Sequence, residues 1–171
     1  MLVAVSELPE VFVEDKADHY AAAVYGSIVA AALIEAFRGE HAHAETTALA
    51  VLSTMGVFWL AHVWSAIVGE RIHRREGRLG WHRVVQIARA EWPLVEASFA
   101  PVFVLVLGWA GILSDNTAEE LALIVCIVQL FGWGLAVGLR AYDHLVGALL
   151  SAFANGALGL MVVSLEVAVL H

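Results

Sequence analysis

The sequence predicts an all-α membrane protein, a polytopic bundle of five transmembrane helices with its N-terminus inside and its C-terminus outside. Three observations predict it. Of 171 residues, 61% are hydrophobic and only 15% charged, with a mean hydropathy of +0.80, whereas soluble domains are roughly 45–50% apolar and about 25% charged. Several continuous runs rich in Ala, Leu and Val approach or reach the roughly 20 residues a helix needs to cross a bilayer, without the short alternation of barrel strands. Finally, six of the nine Lys and Arg residues (Arg71, Arg74, Arg75, Arg78, Arg83 and Arg89) fall in one segment. Orientation follows Lys and Arg rather than net charge, so that segment is the cytoplasmic loop despite the formal charge of −8.

The spans follow in order. Residues 1–19 form a cytoplasmic amphipathic lead-in, with Val11, Phe12 and Val13 resting on the membrane surface. It has neither the basic start nor the apolar core of a cleaved signal peptide. Residues 20–171 form a single transmembrane domain. Its first span is Tyr20–Phe37, followed by the polar loop "GEHAHAET". The second is Thr47–Val68. In the basic loop 70–91, "WHRVVQIARAEW" has apolar residues at helical spacing and reads as an interfacial helix. The third span is Trp92–Leu113. "SDNTAEE" then makes a turn, with Asn116 and Thr117 as turn and cap and Glu119 and Glu120 in the first helical turn. The fourth span is Leu121–Leu139 and the fifth Leu145–Leu170. Arg140 falls inside with the basic loop, and Arg38 falls outside. A four-span alternative leaves the short first run at the interface.

Helices associate in lipid through small residues and hydrogen bonds. Ala22, Gly26 and Ala30, then Gly134 and Gly138, then Ala152 and Gly156 supply small-residue faces. Three stripes also align at helical spacing: Thr54, Phe58, His62, Ser65 and Gly69; Gln129, Trp133, Ala136 and Arg140; and Ser151, Asn155, Gly159, Val162 and Glu166. A partly polar interior follows. Five helices enclose little interior, so a homo-oligomer is expected.

Ionisable groups within spans are costly and by default functional. The sequence singles out His62, Glu96 and Glu166. His62 and Glu96 sit at similar depth in the cytoplasmic half, where His19, Glu70, Glu91, Asp143 and His144 also end up. Imidazole and carboxylate are ligands for divalent metals and equally the parts of a proton relay. The expected ion path is therefore His62, Glu70 and Glu96, with Gln129 and Asn155 along it. His62, Glu70 and Glu96 are also the candidate metal ligands, with His41 and His43 of the outer loop as a weaker pair. Cys126 is the one cysteine; it reads as a small buried hydrophobe.

"SAIVGERI" closes the second span with Ser65, Gly69 and Glu70. "EWPLVEASFAPVF" opens the third with Pro93, Ala97, Ser98 and Phe99. This order resembles the VIT-type iron and manganese transporter family. The resemblance implies five spans, an inside N-terminus and a metal path on which Glu70 is a ligand. The chain departs from the family in three places. "VYGSIVAAA" lacks the acid of the family's first span, Ala66 replaces a pathway Met, and the loop before the third span is short and basic, with Glu76 its one interior acid.

Function is expected to be that of a small transporter or channel in the cell membrane, moving a divalent metal ion or a proton. The competing expectation is a non-transporting scaffold or accessory subunit with a membrane-protein partner. No phosphate-binding loop, dinucleotide fingerprint, nucleophile elbow or HExxH spacing is present, so an enzyme ranks last. A basic loop beside two spans reads as a topology signal, not as a nucleic-acid site.

Overall fold

Nothing between Glu10 and Tyr25 breaks a helix, because neither Gly nor Pro occurs there. The lead-in accordingly joins the first span as one helix, α1, Glu10–Gly39. The computed structural model describes residues 10–39, 42–74, 80–142 and 144–170, with side chains over 19–38, 42–72, 80–142 and 144–161 and at 164. His41, Asp143, Arg75 and Arg78 lie outside the described residues, as do the side chains of Val11, Phe12, Val13, Arg74, Val162 and Glu166.

Six helices follow in order, with no strand among the described residues: α1, α2 (Ala44–Arg74), α3 (Trp81–Ala90), α4 (Pro93–Trp109), α5 (Asp115–Ala141) and α6 (Leu145–Leu170). Portions of α1 (His19–Arg38) and α2 (Ala44–Ile72), together with all of α5, are long and apolar enough to cross a membrane. α3 and α4, bent by 45° at a short break, pass the same test only when taken together, and α6 contributes the shorter apolar stretch Leu145–Met161. The protein is thus a helical membrane protein.

Helix ends correct several sequence boundaries. α2 has 31 residues, about 46 Å at 1.5 Å per residue, and so outruns the hydrocarbon layer. α4 stops at Trp109, not Leu113, because Gly111 takes φ 72°. Only glycine adopts this left-handed cap cheaply, and the N–H groups of Ile112 and Leu113 turn back to Leu107 O. α5 starts at Asp115, six residues before the expected span. Its cap is Ser114, whose side chain accepts from the Thr117 N–H at 3.3 Å, rather than Asn116 or Thr117. Glu119 consequently moves from the first turn to the second, where it faces inward.

The small-residue faces are contacts within the chain. A Cβ on Gly26 would meet the backbone carbonyl of Leu94, which brings α1 against α4. Gly134 and Gly138 let α5 lie on α6: Cβ atoms there would come 2.9 Å from Ala152 Cα and 2.5 Å from Ala148 Cα. The main apolar core lies among α1, α2, α4 and α5, around Ile34, Val51, Met55, Leu105 and Leu123. α3 is amphipathic, as expected. Ile87 packs on Val63 and Ile67 of α2, and Ala88 O accepts from the Trp59 indole at 2.9 Å.

Two ends of the bundle differ in charge. One gathers Glu35, Glu45, Asp115, Glu119 and Glu120 (the acidic end). The other gathers Arg71, Arg83, Arg89 and Arg140 around Glu70 and Glu91 (the basic end).

Candidate functional site: a polar seam between α1 and α5

α1 and α5 run antiparallel through the bundle. Their register is pinned at the acidic end by Arg38 Nη2 donating to Glu120 Oε1 at 2.9 Å. At the basic end the Tyr20 and Trp133 rings lie 5.9 Å apart, and Arg140 stands 4.9 Å over the Tyr20 ring. Between these contacts the register sets Ser27 level with Gln129.

The seam carries polar groups along its length. At the acidic end Glu35 and Glu119 are 7% and 1% exposed, and a carboxylate so deeply buried needs partners. Thr47 Oγ1 donates to Glu119 Oε1 at 3.2 Å. Arg38, Asp115 and Glu35 are Glu119's charged neighbours. Arg38 Nη1 lies 3.6 Å from Glu35 Oε2, too long for a hydrogen bond. In mid-seam Ser27 is fully buried, and its hydroxyl donates to Ala23 O at 2.9 Å, leaving its lone pairs free. At the basic end the His19 and Trp133 rings meet edge-on at 6.3 Å.

Three buried side-chain polar atoms lack a hydrogen-bond partner among the described residues: Glu35 Oε2, Gln129 Oε1 and Trp133 Nε1. All three belong to α1 or α5. Leaving such a group unpaired costs about 1–3 kcal/mol. Clustering of orphans on one seam marks a place that water or a small ion would satisfy.

The residues singled out by sequence are dispersed. His62 is half-buried; its Nδ1 bonds Phe58 O at 2.9 Å, and its ring lies 5.6 Å from Tyr25. A carbonyl oxygen only accepts, so that bond places a proton on Nδ1. Glu70 takes Arg83 Nε on both oxygens, at 2.9 and 3.0 Å. Glu96 is exposed on α4 and makes no hydrogen bond or ion pair with the described residues. Asn155 Nδ2 donates to Ser151 O at 3.0 Å, at the close approach of α6 to Gly134. Gln129 alone of the expected path lies on the seam. No group of three His, Cys, Asp or Glu side chains among the described residues is placed to hold a metal ion.

Glu35, Arg38, Thr47 and Glu119 are not among the site residues expected from sequence. Two signals were there. Glu35 falls inside the apolar run Tyr20–Phe37, three residues before Arg38, and Glu119 precedes Leu121 by only two positions. Which loop ends pair with which is not written in either stretch, so the convergence became visible only with the helices packed.

His43 caps the acidic end. Its Nδ1 lies 2.9 Å from Asp115 Oδ2, and Asp115 Oδ1 accepts from the Ala44 N–H at 3.3 Å. The hydrogen bond to Asp115, then its charge and that of Glu45, raise the imidazole pKa above 6.5. A raised folded-state pKa stabilises the folded protein fully below the unfolded value of ~6.5, and the contribution disappears as pH rises through the folded value. The native protein is therefore expected to lose a small increment of thermal stability as pH rises from ~6.5 through the raised folded value. His43→Ala should show no such step in a melting series, while a step of unchanged size in that variant would dismiss the pair as its source.

A scan against protein-family models finds no match for this chain, and no curated protein or solved structure matches it.

Proposed function

We propose that the protein is a small multi-pass transporter or channel of the cell membrane, moving a cation along the α1–α5 seam, and that the cation is a proton. The observation that carries this reading is the confinement of all three orphaned buried polar atoms of the described residues to those two helices. Buried carboxylates at one end, with hydroxyl, amide and indole groups further along, are the parts of a hydrated proton path. A dehydrated divalent metal would ask for several oxygen or nitrogen ligands at one point, and the dispersal of His62, Glu70 and Glu96 favours the proton over the metal. With the basic end taken as cytoplasmic, Glu35 and Glu119 sit at the outer mouth, and Arg38 bridges it.

The test is proton flux into liposomes holding the purified protein, driven by a potassium diffusion potential and read with an internal pH dye, with Mn²⁺ and Fe²⁺ uptake in parallel. Proton flux well above that of empty liposomes, without metal uptake, is expected. Metal uptake with no proton movement would overturn the choice of cargo. No flux of any ion from folded protein would overturn transport.

One observation favours a second reading, an accessory or self-associating subunit. Glu96 is exposed between Trp92, Phe99 and Phe103, which are 43%, 45% and 63% exposed. An uncovered carboxylate on an apolar helix face is costly in hydrocarbon, so a further protomer or another membrane protein covering α4 would relieve it. Co-purification with a stoichiometric partner, and absence of flux without it, would favour this reading.

A further inference from the structure

The two ends of the bundle treat their cations differently. At the acidic end Arg38 is paired with Glu35 and Glu120, and His43 with Asp115. At the basic end Arg83 is held by Glu70, and Arg140 bonds Ala136 O and covers Tyr20. Arg71 and Arg89 are left over. Both are exposed, and neither makes a hydrogen bond or ion pair with the described residues.

Their setting limits what can answer that charge. α3 turns its apolar side onto α2 through Ile87, Val84 and Ala88, so Arg89 projects from the opposite, solvent- or lipid-facing side. The helix is anchored there by the Trp59–Ala88 hydrogen bond and by the Arg83–Glu70 pair. Trp81, 79% exposed, stands at its start, and Trp92, 43% exposed, just beyond its end. Indole side chains settle at the headgroup level of a bilayer, and α3 leads directly into α4 at a bend of 45°. Arg89 thus stands on the outward side of α3 and Arg71 near the end of α2, and the indoles that flank α3 mark this end of the bundle as the headgroup level.

We infer that α3 and the end of α2 bind anionic phospholipid headgroups through Arg71 and Arg89, with Trp81 and Trp92 setting the depth. Charge complementarity selects the occupant. Guanidinium pairs well with phosphate, zwitterionic lipids present no net negative charge, and a basic group near an anionic leaflet gains roughly fivefold in affinity. The inference is independent of what, if anything, crosses the seam.

Native mass spectrometry of the full chain in detergent, offered dioleoyl phosphatidylglycerol and dioleoyl phosphatidylcholine together, tests it. Retention of phosphatidylglycerol about tenfold above phosphatidylcholine is expected, falling to near parity in R71Q/R89Q and in about 0.5 M salt. R71K/R89K should keep most of the preference, which separates loss of charge from loss of fold. Equal retention of the two lipids by the native chain would overturn the inference. So would undiminished preference in R71Q/R89Q, or displacement of the lipid by millimolar inorganic phosphate, which would make the site a reader of free anions. Retention of poly-glutamate but not phosphatidylglycerol would assign the surface to an acidic protein and overturn it too.

Discussion

Gly26→Val leaves no folded bundle. A Cβ at this position would run into the carbonyl oxygen and backbone carbons of Leu94, and backbone in the first turns of α4 has no rotamer to yield. Overpacking a tight interior costs about 1–3 kcal/mol when side chains can move aside. Here relief requires α1 and α4 to separate. These two helices form one wall of the core that holds Ala30, Ala31, Ile34 and Leu94, so separation opens that core as well. The expected result is loss of the monodisperse peak on gel filtration in detergent and of the cooperative melt. Gly56→Val is the comparison: beyond its chain neighbours and its own helix backbone, nothing lies within 4 Å of a Cβ there, so that variant should purify and melt like the native chain. A native-like melt from Gly26→Val would mean that α1 and α4 do not approach closely at this point.

How far the sequence reveals the fold can be judged from particular elements. Apolar length alone locates the helices, and α6 falls at its expected bounds, Leu145–Leu170. The amphipathic spacing of "WHRVVQIARAEW" marks α3 correctly because its apolar residues have a single partner, α2. Gly26, Gly134 and Gly138 announce close approaches, but not with whom; that depends on the arrangement of helices, which composition does not encode. The site was less legible. Depth in the membrane is readable from position along a span, and this grouped His62, Glu70 and Glu96. Rotation about each helix axis is not, and it sends Glu96 outward, Glu70 to Arg83 and His62 to its own helix. Gln129 was the exception: its place on the Gln129, Trp133, Ala136 and Arg140 stripe already described one wall of the seam. The buried carboxylates lay just at the expected boundaries of the first and fourth spans, where a small shift in a helix start decides whether a glutamate faces water or protein. Ser114 in place of Asn116 or Thr117 as the cap is that shift.

Glu119→Gln abolishes the proposed proton flux while sparing the fold. The amide is nearly isosteric with the carboxyl, and its oxygen still accepts the Thr47 hydroxyl that meets Glu119 Oε1 at 3.2 Å. No buried charge is created, so the variant should melt close to the native protein. What the amide cannot do is take up and release a proton. A relay that loses its one exchangeable site at a buried point loses about a hundredfold or more in rate, the scale typical of removing a positioned acid–base group. Glu35→Gln should behave alike, since its Oε2 is itself buried and makes no hydrogen bond, with Arg38 Nη1 3.6 Å away; the double variant should then be no slower than either single one, because both block the same path. Glu45→Gln, an exposed acid at the start of α2, separates this from a general loss of negative charge at the acidic end and should leave flux within about twofold, as surface charges do when screened. The decisive comparison is the flux of Glu119→Gln against Glu45→Gln at equal amounts of folded protein per liposome. Equal fluxes would remove the carboxylates from the path and leave Glu119 as a structural hydrogen-bond acceptor for Thr47. A hundredfold gap, with melting temperatures alike, would place proton exchange at the point where α1, α2 and α5 converge.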